Sequence, residues 1–132
     1  MTNTFKFTSW DEAPAPEGHE GPRTVHAHTT NEFAGVIEGT SVADHVMFYS
    51  GQGEGWGSGI YYGFEQIAGS VDGRKGSFVL QHVGSFDSTT VRATWTVVEG
   101  SGTGELEGLE ATGGFVSVHG EGDSTTYTFE LS

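Results

Sequence analysis

A carboxylate, an imidazole and an indole form the polar set in this sequence that best fits shared chemistry: Glu65, His82 and Trp95. In an apolar interior, a carboxyl group and an imidazole side by side can pass a proton between them or to a bound molecule. We therefore predict that Glu65 and His82 are catalytic, with Glu65 as general base or anion stabiliser and His82 as the acid or its orienting partner. The alternative is a buried polar pair that only fixes strand register.

Three consecutive segments that read as β-strands must position these side chains. They are 60–72, 74–87 and 89–99. We expect Val71 to face Gly76 across the first tight turn and Phe86 to face Val91 across the second. That register places the carboxylate opposite the imidazole, and the imidazole opposite the indole, on one apolar face of the sheet.

Aromatic and aliphatic side chains share that inward face, because side chains of a strand alternate with a period of two. The predicted ligand-binding walls are Tyr61, Phe78, Leu80, Phe86 and Trp95. Aromatic walls of this kind suit an apolar or cationic ligand. The sequence thus predicts a polar pair inside an otherwise apolar interior.

The chain as a whole shows short alternating runs separated by Gly, Asp and Ser, and it contains 22 glycines. This pattern is typical of an all-β sandwich or barrel, and no stretch shows a convincing helical period. The predicted strands are 4–12, 23–33, 35–49, 60–72, 74–87, 89–99, 113–120 and 124–131. About eight strands close a small barrel with room for one ligand. We therefore predict one domain, residues 1–132, forming a single closed antiparallel β-barrel with an internal cavity.

Two connections stand out by composition. Segment 13–22 holds all three prolines and is predicted to be an exposed loop. Segment 51–59 is glycine-rich around Trp56, and we predict that it lies at a barrel mouth, where the indole contributes to ligand binding. The alternative is that Trp56 folds onto the rim without such a role.

Charge and composition argue against several partners and compartments. Eighteen Asp and Glu against five Lys and Arg give a formal net charge of −13, which repels nucleic acid and anionic lipid. The absence of cysteine removes disulfides and thiolate sites, as suits a reducing cytoplasm. Without a long apolar run or a secretory signal, we expect a cytoplasmic protein that does not enter a membrane.

Several motifs resemble one bacterial family over nearly the whole chain. The most particular is the run Gly-Ser-Gly-Thr-Gly-Glu-Leu-Glu-Gly-Leu at 100–109, supported by shorter motifs at 9–12, 35–39, 63–65, 73–82 and 84–86. With these motifs the chain resembles the DUF3224 family. The resemblance implies an allene-oxide-cyclase-like, calycin-type β-barrel with a cavity inside, and it implies little about chemistry.

Barrels similar to that family include plant allene oxide cyclases and the barrel cyclases of polyketide pathways, which fold reactive hydrophobic substrates without a cofactor. By this fold-level analogy we predict a cofactor-independent cyclase or isomerase acting on a polyketide-, terpenoid- or lipid-like metabolite. The alternative is a non-catalytic carrier of an apolar ligand. We expect any homodimer to use surface side chains such as Tyr62, Phe64 and Val79.

A second alternative is a cupin-like metal enzyme. His26 and His28 share one face of a predicted strand, and Glu32 follows at a spacing that resembles the first metal motif of cupins. Two imidazoles and a carboxylate suit Fe, Mn, Ni or Zn. However, Gly21 is one residue too close to serve as the upstream glycine, and the later strands lack the proline of the second motif. Our main prediction therefore includes no metal and no cofactor.

Overall fold

The computed structural model describes residues 3–13, 23–49, 58–87, 90–118 and 125–131. They form eight antiparallel strands: β1 (Thr4–Ala13), β2 (Arg23–Ala34), β3 (Ile37–Tyr49), β4 (Gly59–Val71), β5 (Arg74–Phe86), β6 (Thr90–Val97), β7 (Ala111–Val118) and β8 (Thr125–Leu131). Each strand pairs with the next, and β8 pairs with β1, so the sheet closes into a barrel. The predicted all-β, closed antiparallel barrel is confirmed. Among the described residues, no helix is long and apolar enough to cross a membrane.

The hairpin between β4 and β5 turns at Asp72 and Gly73, whose φ angles are 50° and 83°. Two central residues with positive φ make a turn that matches the twist of the flanking strands, and Val71 therefore pairs with Arg74. The predicted pairing of Val71 with Gly76 is wrong by two residues, because this Asp-Gly turn needs no further residues. A shift of two leaves every side chain on its predicted face.

The junction between β1 and β8 is short. Two described residue pairs form it: Thr4–Thr126 and Phe5–Thr125. Farther along β1, a bulge shifts the register with β2 at Thr8. Phe7 and Trp10 align there with inward-facing residues of β2, yet they are 47% and 45% exposed. No described strand covers these two side chains on the β8 side.

One end of the barrel, named here the packed end, is filled by apolar side chains. They are Phe5, Phe33, Ile37, Ile67, Val71, Phe78, Leu80, Trp95, Val97, Leu106, Leu109, Ala111, Tyr127 and Phe129. Leu106 and Leu109 come from the connection between β6 and β7, which contains the 3₁₀ helix Gly104–Leu106. Thr103 fastens this connection, since its N–H donates to the carbonyl of Ser77 and its hydroxyl accepts from the N–H of Ser77. The run 100–109 therefore closes the packed end.

The opposite end, named here the pocket end, holds a smaller cluster: Val25, Ala27, Met47, Tyr49, Tyr61 and Phe86. By topology, strands β1, β3, β5 and β7 all run towards this end. Trp56 and residues 14–22 lie outside the described residues. Of the predicted mouth loop 51–59, Ser58 and Gly59 are described, and Gly59 begins β4.

Candidate functional site

The three polar side chains singled out in the sequence all lie inside the barrel. Glu65 on β4, His82 on β5 and Trp95 on β6 are 3%, 4% and 0% exposed. His82 faces Trp95 across β5 and β6, as predicted. Glu65 faces Leu80 instead of His82 because of the two-residue shift. Its carboxylate still reaches the imidazole diagonally, with 2.9 Å between Oε1 and Nε2.

The hydrogen bonds around His82 fix which of its nitrogens carries the proton. Trp95 Nε1 donates to His82 Nδ1 over 3.1 Å, and an indole N–H can only donate. Nδ1 is therefore the acceptor, and Nε2 carries the proton that it donates to Glu65 Oε1. The Tyr61 hydroxyl lies 3.2 Å from the same Nδ1 and must also donate. Two donors thus converge on one lone pair, and the imidazole is neutral.

The other oxygen of the Glu65 carboxylate is held by two residues that sequence reasoning missed. Ser41 Oγ donates to Oε2 over 2.5 Å, and Asn31 Nδ2 donates to it over 3.1 Å. With His82, these contacts make Glu65 an acceptor of three hydrogen bonds. The signal available in the sequence was a polar residue at an inward-facing position of strands 23–33 and 35–49.

Asn31 has one polar atom without a partner. Its Nδ2 lies near three acceptors, on Thr29, Ser41 and Glu65. Its Oδ1 is buried and accepts no hydrogen bond from the described residues. A buried amide oxygen that stays unpaired costs free energy, so this atom is ready to accept a hydrogen bond from a bound molecule.

Two rings at this site occupy space beside glycines of the neighbouring strands. A Cβ on Gly63 would lie 2.0 Å from Nδ1 of His45, and one on Gly84 would lie 2.2 Å from the Tyr61 ring. Glycine is therefore required for both rings to take these places. Burial lowers the pKa of His45 to about 3. Burial, with a smaller effect of the charge on Glu65, raises the pKa of Tyr61, which stays a phenol and a donor.

These side chains form part of the wall of a cavity of about 250 Å³ at the pocket end. Its lining residues are Phe5, Phe7, Trp10, Thr29, Asn31, His45, Met47, Tyr61, Glu65, His82, Phe86, Val91, Phe115 and Ser117. Exposed Phe7 and Trp10 belong to this lining, so the cavity reaches the surface beside β1.

Some of the predicted site residues line this cavity, and others belong to the packed end. Glu65, His82, Tyr61 and Phe86 line the cavity. Phe78, Leu80 and Trp95 do not, and they belong to the apolar cluster of the packed end. Trp95 nevertheless contacts the site through its bond to His82.

The proposed metal ligands lie on the outer surface. His26 Nε2 and His28 Nδ1 lie 3.2 and 2.8 Å from the same carboxylate oxygen of Asp44. The hydrogen bond with His28 is the main cause that lowers the pKa of Asp44. Glu32 instead pairs with Lys6 at 3.4 Å. Within the described ranges, no group of three or more His, Cys, Asp or Glu is placed to hold a metal ion.

Comparison with protein families gives a match to a protein family of unknown function, DUF3224, over residues 1–131. The chain belongs to the DUF3224 family. A similar solved structure is a DUF3224 protein of unknown function from Shewanella oneidensis MR-1. The two chains are 29% identical, with 100% of this chain and 98% of that chain covered and a TM-score of 0.71. The search of curated proteins found no match.

Membership in DUF3224 confirms the family predicted from the motifs, and the related crystal structure supports the barrel. The likeness to allene oxide cyclases stays a prediction. The run 100–109, the most particular of the motifs, builds the packed end and contributes no residue to the cavity. In this chain the run therefore contributes to packing and not to the cavity wall.

Proposed function

We propose that this DUF3224 barrel binds a small, neutral, mostly apolar molecule that carries a hydroxyl or carbonyl oxygen. The observation that carries the proposal is an apolar cavity whose wall contains both an unpaired acceptor, Asn31 Oδ1, and a surplus donor, the Tyr61 hydroxyl. Ligand pockets of this kind combine apolar walls with a few polar groups that fix orientation.

The size of the cavity limits the ligand. An apolar cavity of roughly 150 Å³ holds benzene. A volume of about 250 Å³ therefore suits a molecule of the size of two fused rings. Phe5, Phe86 and Phe115 supply aromatic walls for such a ring system.

The charge of the site selects against anions. Glu65 contributes a buried carboxylate to the wall, and His82, which is its hydrogen-bond partner, is neutral. No Lys or Arg belongs to the described lining. A ligand carboxylate would meet a like charge at low dielectric, so a neutral oxygen function is favoured.

Tyr61 can turn to a ligand at little cost. His82 Nδ1 has one lone pair and receives both Tyr61 and Trp95. If the Tyr61 hydroxyl donates to a ligand oxygen, Trp95 alone keeps Nδ1 satisfied. The hydrogen bond to His82 Nδ1 already orders the Tyr61 ring, which reduces the ordering cost of binding.

Titration calorimetry with naphthalene, 2-naphthol and 2-naphthoate tests this function. We expect 2-naphthol to bind roughly threefold to tenfold more tightly than naphthalene, because one net hydrogen bond is gained, and 2-naphthoate to bind most weakly. Tyr61→Phe should reduce the preference for 2-naphthol without loss of folding stability, because only the acceptor Asn31 Oδ1 remains for the ligand hydroxyl. The proposal fails if neither neutral compound binds, or if 2-naphthoate binds best.

Tyr127→Phe is a matched control at the packed end. The Tyr127 hydroxyl accepts from the N–H of Ile37 and donates to the carbonyl of Ala34. Its removal should lower stability by about 1 kcal/mol and leave the discrimination between naphthalene and 2-naphthol unchanged. Loss of that discrimination in Tyr127→Phe would show that global loosening, and not the Tyr61 contact, controls binding.

One observation favours a second candidate, the cofactor-independent isomerase or cyclase predicted from the sequence. His82 hydrogen-bonds to both the Glu65 carboxylate and the Tyr61 hydroxyl. The same order of carboxylate, imidazole and hydroxyl occurs in enzymes whose hydroxyl takes part in the reaction. In this version the Tyr61 O–H stabilises negative charge that develops on a substrate carbonyl oxygen as an α-carbon C–H bond breaks and its proton passes to solvent. Glu65, with three donors, orients His82 and does not serve as the base.

Exchange of the α-protons of 2-tetralone in heavy water, followed by NMR, tests the second candidate. Acceleration by the wild type that is lost in Tyr61→Phe supports enolisation in the cavity. If 2-tetralone binds but its α-protons exchange no faster than in buffer, the barrel binds a ligand without catalysing this reaction.

A further inference from the structure

The outer faces of β3, β4 and β5 carry a continuous apolar surface, named here the outer patch. Its members are Val42, Val46, Phe48, Ile60, Tyr62, Phe64 and Val83, which are between 39% and 55% exposed. Val46 faces Tyr62, and Tyr62 faces Val83, so one row crosses all three strands. Phe48 faces Ile60 in a neighbouring row. These contacts make one surface rather than scattered apolar residues.

We propose that the outer patch is the interface of a symmetric homodimer, with a second copy of this chain as its occupant. A dimer with twofold symmetry brings the same patch of both copies together. The centre of such an interface would be Tyr62 and Phe64 on β4, which are 54% and 55% exposed. Large aromatic side chains at the centre are the usual energetic anchors of protein interfaces.

The distribution of charge favours a second copy on this face. The chain carries a net charge of −13, so most approaches of one copy to another are repulsive. In the segments that carry the outer patch, 42–48, 60–66 and 79–85, Asp44 is the single acidic side chain on the outer surface. His26 and His28 hydrogen-bond to that carboxylate. The outer patch is therefore a nearly neutral area on a protein with a strongly negative net charge.

The area also fits a dimer. Phe48, Tyr62 and Phe64 are about half exposed, and at the usual size of aromatic side chains they present roughly 300 Å² together. Val42, Val46, Ile60 and Val83 enlarge this apolar centre. Polar residues surround it, including Gln66, Gln81 and Thr94. An apolar centre with a polar rim is the composition of interfaces that bury about 800 Å² on each partner.

Sedimentation of the full chain over a range of micromolar concentrations, compared with Phe64→Lys, tests the proposal. Phe64 is already exposed, so misfolding would not explain a monomer. The lysine makes the net charge of the chain less negative, so greater overall repulsion between two copies would not explain it either. We expect the wild type to be a dimer and Phe64→Lys to weaken it roughly 30-fold or more. Val116→Lys is the matched control, since Val116 is 51% exposed on β7 and should leave the dimer intact.

A wild type that sediments as a monomer throughout the range overturns the proposal. The proposal is also overturned if Phe64→Lys leaves the dimer intact, or if Val116→Lys disrupts the dimer and Phe64→Lys does not. Flotation with vesicles of zwitterionic phosphatidylcholine distinguishes a lipid occupant. Binding of a monomeric wild type to these vesicles that is lost in Phe64→Lys would assign the outer patch to a membrane surface instead.

Discussion

The two ends of this barrel have opposite constructions. At the packed end, Phe78, Leu80 and Trp95 are at most 2% exposed, and they belong to one apolar cluster with Leu106 from the 3₁₀ helix. At the pocket end, the apolar cluster is smaller and borders a cavity of about 250 Å³. The polar cluster around Glu65 lies between the two. We infer that folding stability is concentrated at the packed end, which leaves the pocket end able to keep a void.

Removal of one aromatic ring from each end gives the largest expected effects. Phe78 in the packed end is 2% exposed, and Phe86 in the cavity wall is 6% exposed. Phe78→Ala should lower the free energy of unfolding by about 3–5 kcal/mol, because the rigid surroundings leave a new cavity. Phe86→Ala should cost at least about 1 kcal/mol less, because its ring already borders a void. Denaturant unfolding measures both, and equal losses would contradict the division between the ends.

Glu65→Gln tests whether the cluster between the ends depends on a carboxylate. The amide has one oxygen where the carboxylate accepts from Asn31, Ser41 and His82. At least one buried donor loses its partner, so we expect a loss of about 2–4 kcal/mol in unfolding free energy. Glu32→Gln is the control, because its pair with Lys6 is half exposed and is worth at most about 1 kcal/mol. Similar losses in both variants would show that the buried hydrogen bonds of Glu65 stabilise the fold no more than an exposed ion pair does.

The free energy of unfolding should depend on pH because His45 is buried. Its pKa falls from 6.5 to about 3 on folding, so between these values the unfolded chain binds a proton that the folded chain does not. This stability is fully present above pH 6.5 and is lost by roughly 1.4 kcal/mol per pH unit as the pH falls towards 3. His45→Asn should flatten the pH dependence, and His26→Asn on the outer surface should not. Parallel pH curves for the wild type and His45→Asn would contradict a buried neutral imidazole.

Much of the architecture could be predicted from local signals. Period-two alternation and turn residues placed every strand to within two residues, and the pairing of His82 with Trp95 followed from the turn after Phe86. The pairing of Glu65 did not follow. A two-residue shift conserves the face of every side chain, so no hydrophobic pattern reports it. The Asp72-Gly73 dipeptide was the available signal, and it favours the shorter turn.

The candidate site was predicted only in part, because its remaining members come from strands distant in sequence. Asn31 on β2 meets Glu65 across β3, and this contact requires two registers to be known at once. The alternating sequence pattern also could not predict which inward-facing residues pack together and which line the cavity. Tyr61 and Phe78 have the same inward orientation, and their different surroundings depend on where Leu106 and Leu109 fold back.

The short junction between β1 and β8 has a consequence for how a molecule enters the barrel. Past Phe5, the described part of β1 has a strand partner on one side only, whereas β4 is paired on both sides along its length. Amide protons of β1 should therefore exchange with deuterium far sooner than those of β4. Separation of β1 from β8 would let a ligand enter through the side of the barrel, next to Phe7 and Trp10.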